Sequence, residues 1–137
     1  MQGKLCALIP AGLMTLALPI MAHHAFSAEF DEKKPVKLTG RVTKMEWINP
    51  HAWIHMDVKG DDGKTYSWMI ETGAPNTLIR RGWTKTSVPE GIQITVEGFQ
   101  AKDGALRANG RFLVLPDGKQ LFAGSSNTGA PGEAPEK

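Results

Sequence analysis

The chain has 137 residues and a formal net charge of +2, and 41% of its residues are hydrophobic. This length suits one compact domain and leaves no room for a second. The near-neutral charge gives no strong field for nucleic acid or an anionic membrane surface, so we expect neither as a partner. With a single cysteine, Cys6, an intrachain disulfide is excluded.

Residues 1–22 have the organisation of a signal peptide. Lys4 supplies a positive start, Leu5 to Ile20 forms an apolar run, and Ile20-Met21-Ala22 is an acceptable cleavage triplet. The run is short for a membrane span and is interrupted by proline and glycine. The sequence therefore predicts a periplasmic or secreted protein, with no stable membrane insertion after cleavage.

Four segments are expected along the chain. They are a signal peptide (1–22), an N-terminal arm (23–35), a β domain (36–123) and a disordered tail (124–137). We expect Phe26 and Phe30 to hold the arm against the domain. The tail is rich in Gly, Ser, Pro and Glu and has no apolar periodicity, which is typical of disorder.

The alternation of apolar and polar residues predicts a mainly β domain. Strands are expected to begin near Val36, Ala52, Tyr66, Ile92 and Leu106, and a terminal hairpin ends with Lys119 to Phe122. Gly40 is expected to mark a bend or bulge in the first strand. A short helix is predicted from Pro75 to Arg81, with Leu78 and Ile79 facing inward, because proline suits a first helical position and Gly82 follows the end.

The predicted order of elements resembles that of an OB-fold barrel, with three strands, a short helix and two further strands. The fold class predicted from this pattern is a small OB-like antiparallel barrel of five or six strands, with one short helix between strands 3 and 4. A meander or a partial sandwich fits the same alternation.

The histidines are the strongest indication of chemistry. If cleavage follows Ala22, the exported chain begins with His23, whose α-amine and ring can chelate one metal ion in a histidine brace. Copper(II) is the expected metal, because it has the highest affinity for nitrogen ligands among the divalent first-row metals.

A brace needs a further ligand, which His24, His51 or His55 could supply. Four residues of a straight strand advance about 13 Å, so His51 and His55 are not expected to bind one ion together. A kink at the Asn49-Pro50 turn could instead bring His51 inward. The alternative is that His23 and His24 are solvated and that His51 and His55 form hydrogen bonds across the sheet.

The tryptophans suggest a second kind of site. Trp47 and Trp53, with Asn49 between them, are candidate ligand-binding residues on the barrel face, whereas Trp68 and Trp83 are expected to pack inside. The methionines Met45, Met56 and Met69 could bind copper(I), but filling gaps in the core is the favoured interpretation.

Covalent catalysis has no evident nucleophile, because the cysteine leaves with the signal peptide and no serine is placed near a histidine and a carboxylate. We therefore predict a binding module without turnover, with a metal ion or small ligand as its partner. The alternative is a metal-free module for a glycan, a peptide or a periplasmic protein. A copper-dependent oxidative enzyme ranks third.

Several segments resemble a family of short exported bacterial proteins of unknown function. The strongest are Ala22-His23-His24-Ala25-Phe26, Lys34 to Gly40 and, above all, Trp47-Ile48-Asn49-Pro50-His51-Ala52-Trp53-Ile54. Gly73 to Asn76, Arg80 to Trp83 and Ala108 to Arg111 are also similar. The resemblance implies export and a small β domain, and it implies no catalytic residue.

Overall fold

The computed structural model describes residues 26–124. The predicted signal peptide, His23, His24 and all of the tail after Gly124 lie outside these residues. The described elements are α1 (Phe26–Glu29), β1 (Phe30–Glu46), β2 (Trp53–Lys59), β3 (Thr65–Glu71), α2 (Pro75–Arg80), β4 (Gln93–Ala101), β5 (Arg107–Val114) and β6 (Gln120–Phe122). Neither helix in this range is long and apolar enough to cross a membrane.

The six strands form one sheet that closes on itself. Their order is β3-β2-β1-β4-β5-β6, and an additional pairing joins β3 to β5. The neighbours in this order are antiparallel, whereas the closing pair is parallel and runs from Met69 opposite Arg107 to Glu71 opposite Asn109. With α2 between β3 and β4, the predicted OB-like barrel is confirmed, and the open meander and the sandwich are excluded.

Strand β1 is the longest element, and it pairs with both β2 and β4. It begins at Phe30, before the predicted start at Val36, because the end of the arm also pairs with β4. The β1–β2 irregularity lies between Val42 and Lys44, so the expected bulge at Gly40 is wrong. Gly40 instead permits close approach of β2, because a Cβ there would lie 2.3 Å from the carbonyl oxygen of Asp57.

The core fills the barrel interior. The residues with fully buried side chains include Ile54, Met56, Ile70, Leu78, Trp83, Ile94 and Leu113. Trp68 and Trp83 pack inside, as predicted. The inward orientation predicted for Ile79 is wrong, because its side chain is 50% exposed. Successive helical residues point about 100° apart, so a helix as short as α2 buries Leu78 and leaves its neighbour outside.

A second, smaller apolar cluster fixes α1 to the barrel. It contains the buried Phe26, Phe30 and Ala101, with Phe99 packed against them. The ring of Phe26 lies 5.9 Å from that of Phe30 and 5.4 Å from that of Phe99. The two phenylalanines therefore anchor the arm, but as a helical turn followed by a strand.

Two isoleucines provide a test of this packing. We expect Ile54→Ala to lower the free energy of unfolding by about 3 kcal/mol, since the side chain is fully buried. Ile79→Ala is the matched control, and we expect a change of less than about 0.5 kcal/mol. Urea denaturation of both variants measures the difference. Equal losses would contradict the described packing of α2.

Candidate functional site

Two rows of side chains cross the outer face of the barrel over β1, β2, β3 and β5. Residues that pair directly across strands point to the same side of a sheet. One row consists of Glu46, Trp53, Glu71 and Asn109, and the adjacent row consists of Lys44, His55, Met69 and Arg107. In OB-fold barrels the surface over strands 2 and 3 is the usual binding face.

Glu71 is the unusual member of the first row. Although it belongs to the outer face, it is only 7% exposed. Burial, and secondarily the nearby charge of Glu29, raise the pKa of its carboxyl to about 7. The positive charge of Arg107 and a hydrogen bond with Asn109 act in the opposite direction. The side chain therefore exchanges a proton near neutral pH.

His51 contacts this carboxyl directly. Its Nδ1 lies 3.2 Å from Oε1 of Glu71. The histidine belongs to the β1–β2 loop, which contains the cis Asn49-Pro50 bond. The end of this loop is fixed beside β3, since the amide of Ala52 donates to the carbonyl of Gly73 at 3.1 Å and its carbonyl accepts from Thr72 at 2.9 Å.

Two further polar groups at this position are buried and unsatisfied. Within residues 26–124, neither Nε of Arg107 nor Oδ1 of Asn109 has a hydrogen-bond partner, and Asn109 is only 2% exposed. One group is a donor and the other is an acceptor, and both side chains adjoin Glu71. Buried polar atoms are rarely left unpaired, so such a pair indicates a place for a hydrogen-bonding ligand or an ordered water molecule.

His55 belongs to a different and more exposed pair. Its Nε2 lies 3.1 Å from Oε2 of Glu46, and Lys44 contacts the same carboxylate. The hydrogen bonds from Lys44 and, secondarily, from His55 lower the pKa of Glu46. His51 and His55 thus contact separate carboxylates. Both contacts agree with the alternative prediction that these histidines form hydrogen bonds across the sheet.

The aromatic candidates occupy different environments. Trp53 is half-buried in the outer row, between Glu46 and Glu71. Trp47 packs against the core, with its ring 6.4 Å from that of Trp83 in an edge-to-face contact. Asn49 is exposed in the loop. Of the predicted aromatic residues, Trp53 is therefore the one that lies beside Glu71.

The described residues contain only part of a possible metal site. Across the range 26–124, no three His, Cys, Asp or Glu side chains are close enough to hold an ion. His51 and Glu71 could contribute two donors, and His23 and His24 lie outside the range. Met56 is buried in the core and Met45 packs against it, whereas Met69 is exposed on the outer face.

Sequence reasoning did not identify Glu71, Asn109 or Arg107. Glu71 alternates with the apolar residues of the third strand like any other polar strand residue, and the other two residues carry no local signal. They meet Glu71 through the parallel β3–β5 pairing, which joins segments far apart in the chain. The similarity of Ala108 to Arg111 to a known family was the only feature that marked this part of β5.

The raised pKa of Glu71 predicts a specific pH dependence of stability. The folded chain keeps this proton up to about pH 7, whereas the unfolded chain loses it near 4.5. The contribution of the Glu71 proton to the free energy of unfolding is therefore complete below pH 4.5. It is lost as the pH rises through 7, and its size is on the order of 3 kcal/mol. We expect Glu71→Gln to flatten this decline in the free energy of unfolding, measured by urea denaturation from pH 4.5 to 8.

Glu46→Gln is the matched control, because Glu46 also contacts a histidine but has a lowered pKa. The pH dependence that Glu46 contributes has the opposite sign. A carboxyl with a lowered pKa stabilises the fold above pH 4.5, and this stabilisation is lost as the pH falls. A decline with pH that persists unchanged in Glu71→Gln would contradict a buried, neutral Glu71.

Comparison with known proteins identifies the family to which the chain is related, but it provides no activity. A search of curated proteins produced no match. Residues 11–110 match the family of unknown function DUF6152. This range covers most of the chain and includes the β1–β2 loop, Glu71 and Asn109, so the chain belongs to the DUF6152 family.

Proposed function

We propose that this protein is an exported binding module that holds copper(II) between His23 at its processed N-terminus and His51 on the barrel. The predicted signal peptide supports export. The observation that carries the metal site is the contact of 3.2 Å between Nδ1 of His51 and Oε1 of the buried Glu71.

The position of α1 supports a role for the arm. Glu29 lies 3.8 Å from Arg107, and its charge acts on Glu71. Phe26, at the start of the same helical turn, is anchored by the aromatic cluster. The described chain therefore begins, at Phe26, on the side of the barrel that carries Arg107 and Glu71.

The chemistry of the His51–Glu71 pair suits a metal ligand. When Nδ1–H donates to the carboxylate, the lone pair of the ring lies on Nε2. Metal-ligating histidines commonly have this arrangement, because the carboxylate fixes the ring and raises its basicity. A cation would also favour loss of the Glu71 proton, since metal binding is coupled to deprotonation of the surrounding groups. The chelate of the His23 amine and ring would complete a set of nitrogen ligands.

Copper titration of the exported protein, with its N-terminus established by mass measurement, tests the proposal. We expect His51→Gln to weaken copper(II) binding at least ~10-fold, because a ligand is lost. An added N-terminal alanine should weaken it by at least as much, because it separates the α-amine from the His23 ring. Isothermal titration calorimetry measures the affinities.

His55→Gln is the matched control. It also removes a histidine that contacts a glutamate on the outer face, but we expect the copper affinity to change by less than about twofold. If the added alanine leaves the affinity unchanged, the brace is wrong. If His51→Gln and His55→Gln have equal effects, His51 is not the barrel ligand.

A metal-free binding module is the second candidate, and the unsatisfied Arg107 and Asn109 atoms favour it. A sugar hydroxyl can accept one hydrogen bond and donate another, so neighbouring hydroxyls would match this donor and acceptor. Trp53 would provide the apolar surface for the ring. A peptide or a periplasmic protein could offer similar groups through its backbone.

Tryptophan fluorescence with soluble cell-wall glycan fragments, recorded in chelator, tests this candidate. We expect quenching that is lost in Trp53→Leu, since Trp53 adjoins Glu71 on the outer face. Absence of quenching by all the fragments would exclude glycan binding at this surface. Turnover of a substrate with copper, a reductant and peroxide would instead favour the third candidate, an oxidative enzyme.

A further inference from the structure

An apolar groove crosses the outer face of the barrel over β1, β4 and β5. It has a volume of about 490 Å³ and is lined by Pro35 and Val36, by Gly98 and Phe99, and by Arg111 and Phe112. A salt bridge of 2.9 Å between Lys37 and Glu97 forms part of its edge. His51 and Glu71 do not line the groove, although Phe99 lies opposite Asn109 across β4 and β5, and neither of the proposed functions uses it.

The groove includes Gly98, where β4 and β5 approach each other closely. A Cβ at this position would lie 2.1 Å from the carbonyl oxygen of Asn109, so the site permits no side chain. Phe99 and Phe112 therefore form aromatic walls on either side of bare backbone. Aromatic-lined grooves of this kind bind extended, proline-containing segments.

The described chain ends beside this groove. Gly124 is held by Arg81, whose Nη1 donates to its carbonyl at 2.7 Å, and the preceding carbonyl of Ala123 accepts from Gly73 at 2.8 Å. A Cβ at Gly124 would lie only 2.7 Å from Nη1 of Arg111, which lines the groove. The chain after Gly124 thus starts next to the groove.

The sequence that follows has the matching chemistry. Residues 125–137 contain Pro131 and Pro135, with Glu133 and Glu136 as their acidic residues. Arg111 and Lys37 give the groove two positive charges against the one negative charge of Glu97. We propose that the segment 129–136 occupies this groove, with its prolines against Phe99 and Phe112 and its carboxylates near the two basic side chains.

The chain is long enough for this docking. Lys37, Glu97, Phe112 and Phe122 form one row across β1, β4, β5 and β6, so the far side of the groove at β1 lies about three strand spacings, or roughly 14 Å, from β6. Pro131 follows Gly124 by seven residues, which extend about 22 Å in polyproline II conformation. Tethering also keeps the segment at a high effective concentration.

Paramagnetic relaxation enhancement in the full chain tests the proposal. A nitroxide is attached at Ala134→Cys in a chain that also carries Cys6→Ser. We expect strong broadening of the amide signals of Gly98, Phe99 and Phe112, with little effect on Ser67 on the opposite side of the barrel. Broadening that is absent, or uniform over the barrel, would overturn the proposal.

Charge reversal distinguishes docking from chance proximity. We expect Lys37→Glu to reduce the enhancement about two- to fivefold, the range for loss of a surface ion pair, and Glu133→Lys in the same chain to restore it. Lys64→Glu is the control, because Lys64 is a similarly exposed lysine with one acidic neighbour, Asp62. If the control has the same effect as Lys37→Glu, specific docking is wrong.

Mixing spin-labelled chain with unlabelled, isotopically enriched chain identifies the source of the segment. Absence of broadening in the enriched chain, together with broadening when one chain carries both the spin label and the isotope, supports the intrachain contact. Broadening of the enriched, unlabelled partner would show that a second copy occupies the groove, and it would overturn the proposal as stated.

Discussion

The parallel pairing of β3 with β5 is the contact on which the rest of the structure depends. It closes the sheet, so no long edge is left between these strands, and it joins Glu71 to Asn109. In an open sheet, Glu71 would be a solvated residue at the end of a strand. In the closed barrel the same carboxyl is buried, and its pKa rises to about 7 for that reason.

Much of the fold could be predicted from the sequence because its strands alternate clearly and its turns contain proline or glycine. The helix after β3 was also recognisable from Pro75 and Gly82. The errors have local causes that alternation does not report. Strand β1 begins early, at Phe30, because the smaller aromatic cluster extends it. Gly40 allows β1 and β2 to approach closely, whereas the irregularity lies between Val42 and Lys44.

The candidate site was predictable only in part. His51 and Trp53 could be found because they occur together in a short, unusual segment. Glu71 looked like an ordinary outward-facing residue, since strand parity specifies the face of a sheet but not what covers it. Arg107 and Asn109 reach Glu71 only through the closing pair, and no local pattern reports such a long-range register.

Two histidine–glutamate contacts on one barrel face have different chemistry because their surroundings differ. Glu46 is only half-buried and contacts Lys44, whose ammonium lowers the carboxyl pKa and repels a second cation. Glu71 is buried beside His51, with its proton held near neutral pH and with unsatisfied polar atoms next to it. Sequence spacing makes His51 and His55 look equivalent. Burial and the position of one lysine make the His51 pair the better candidate for a cation or a polar ligand.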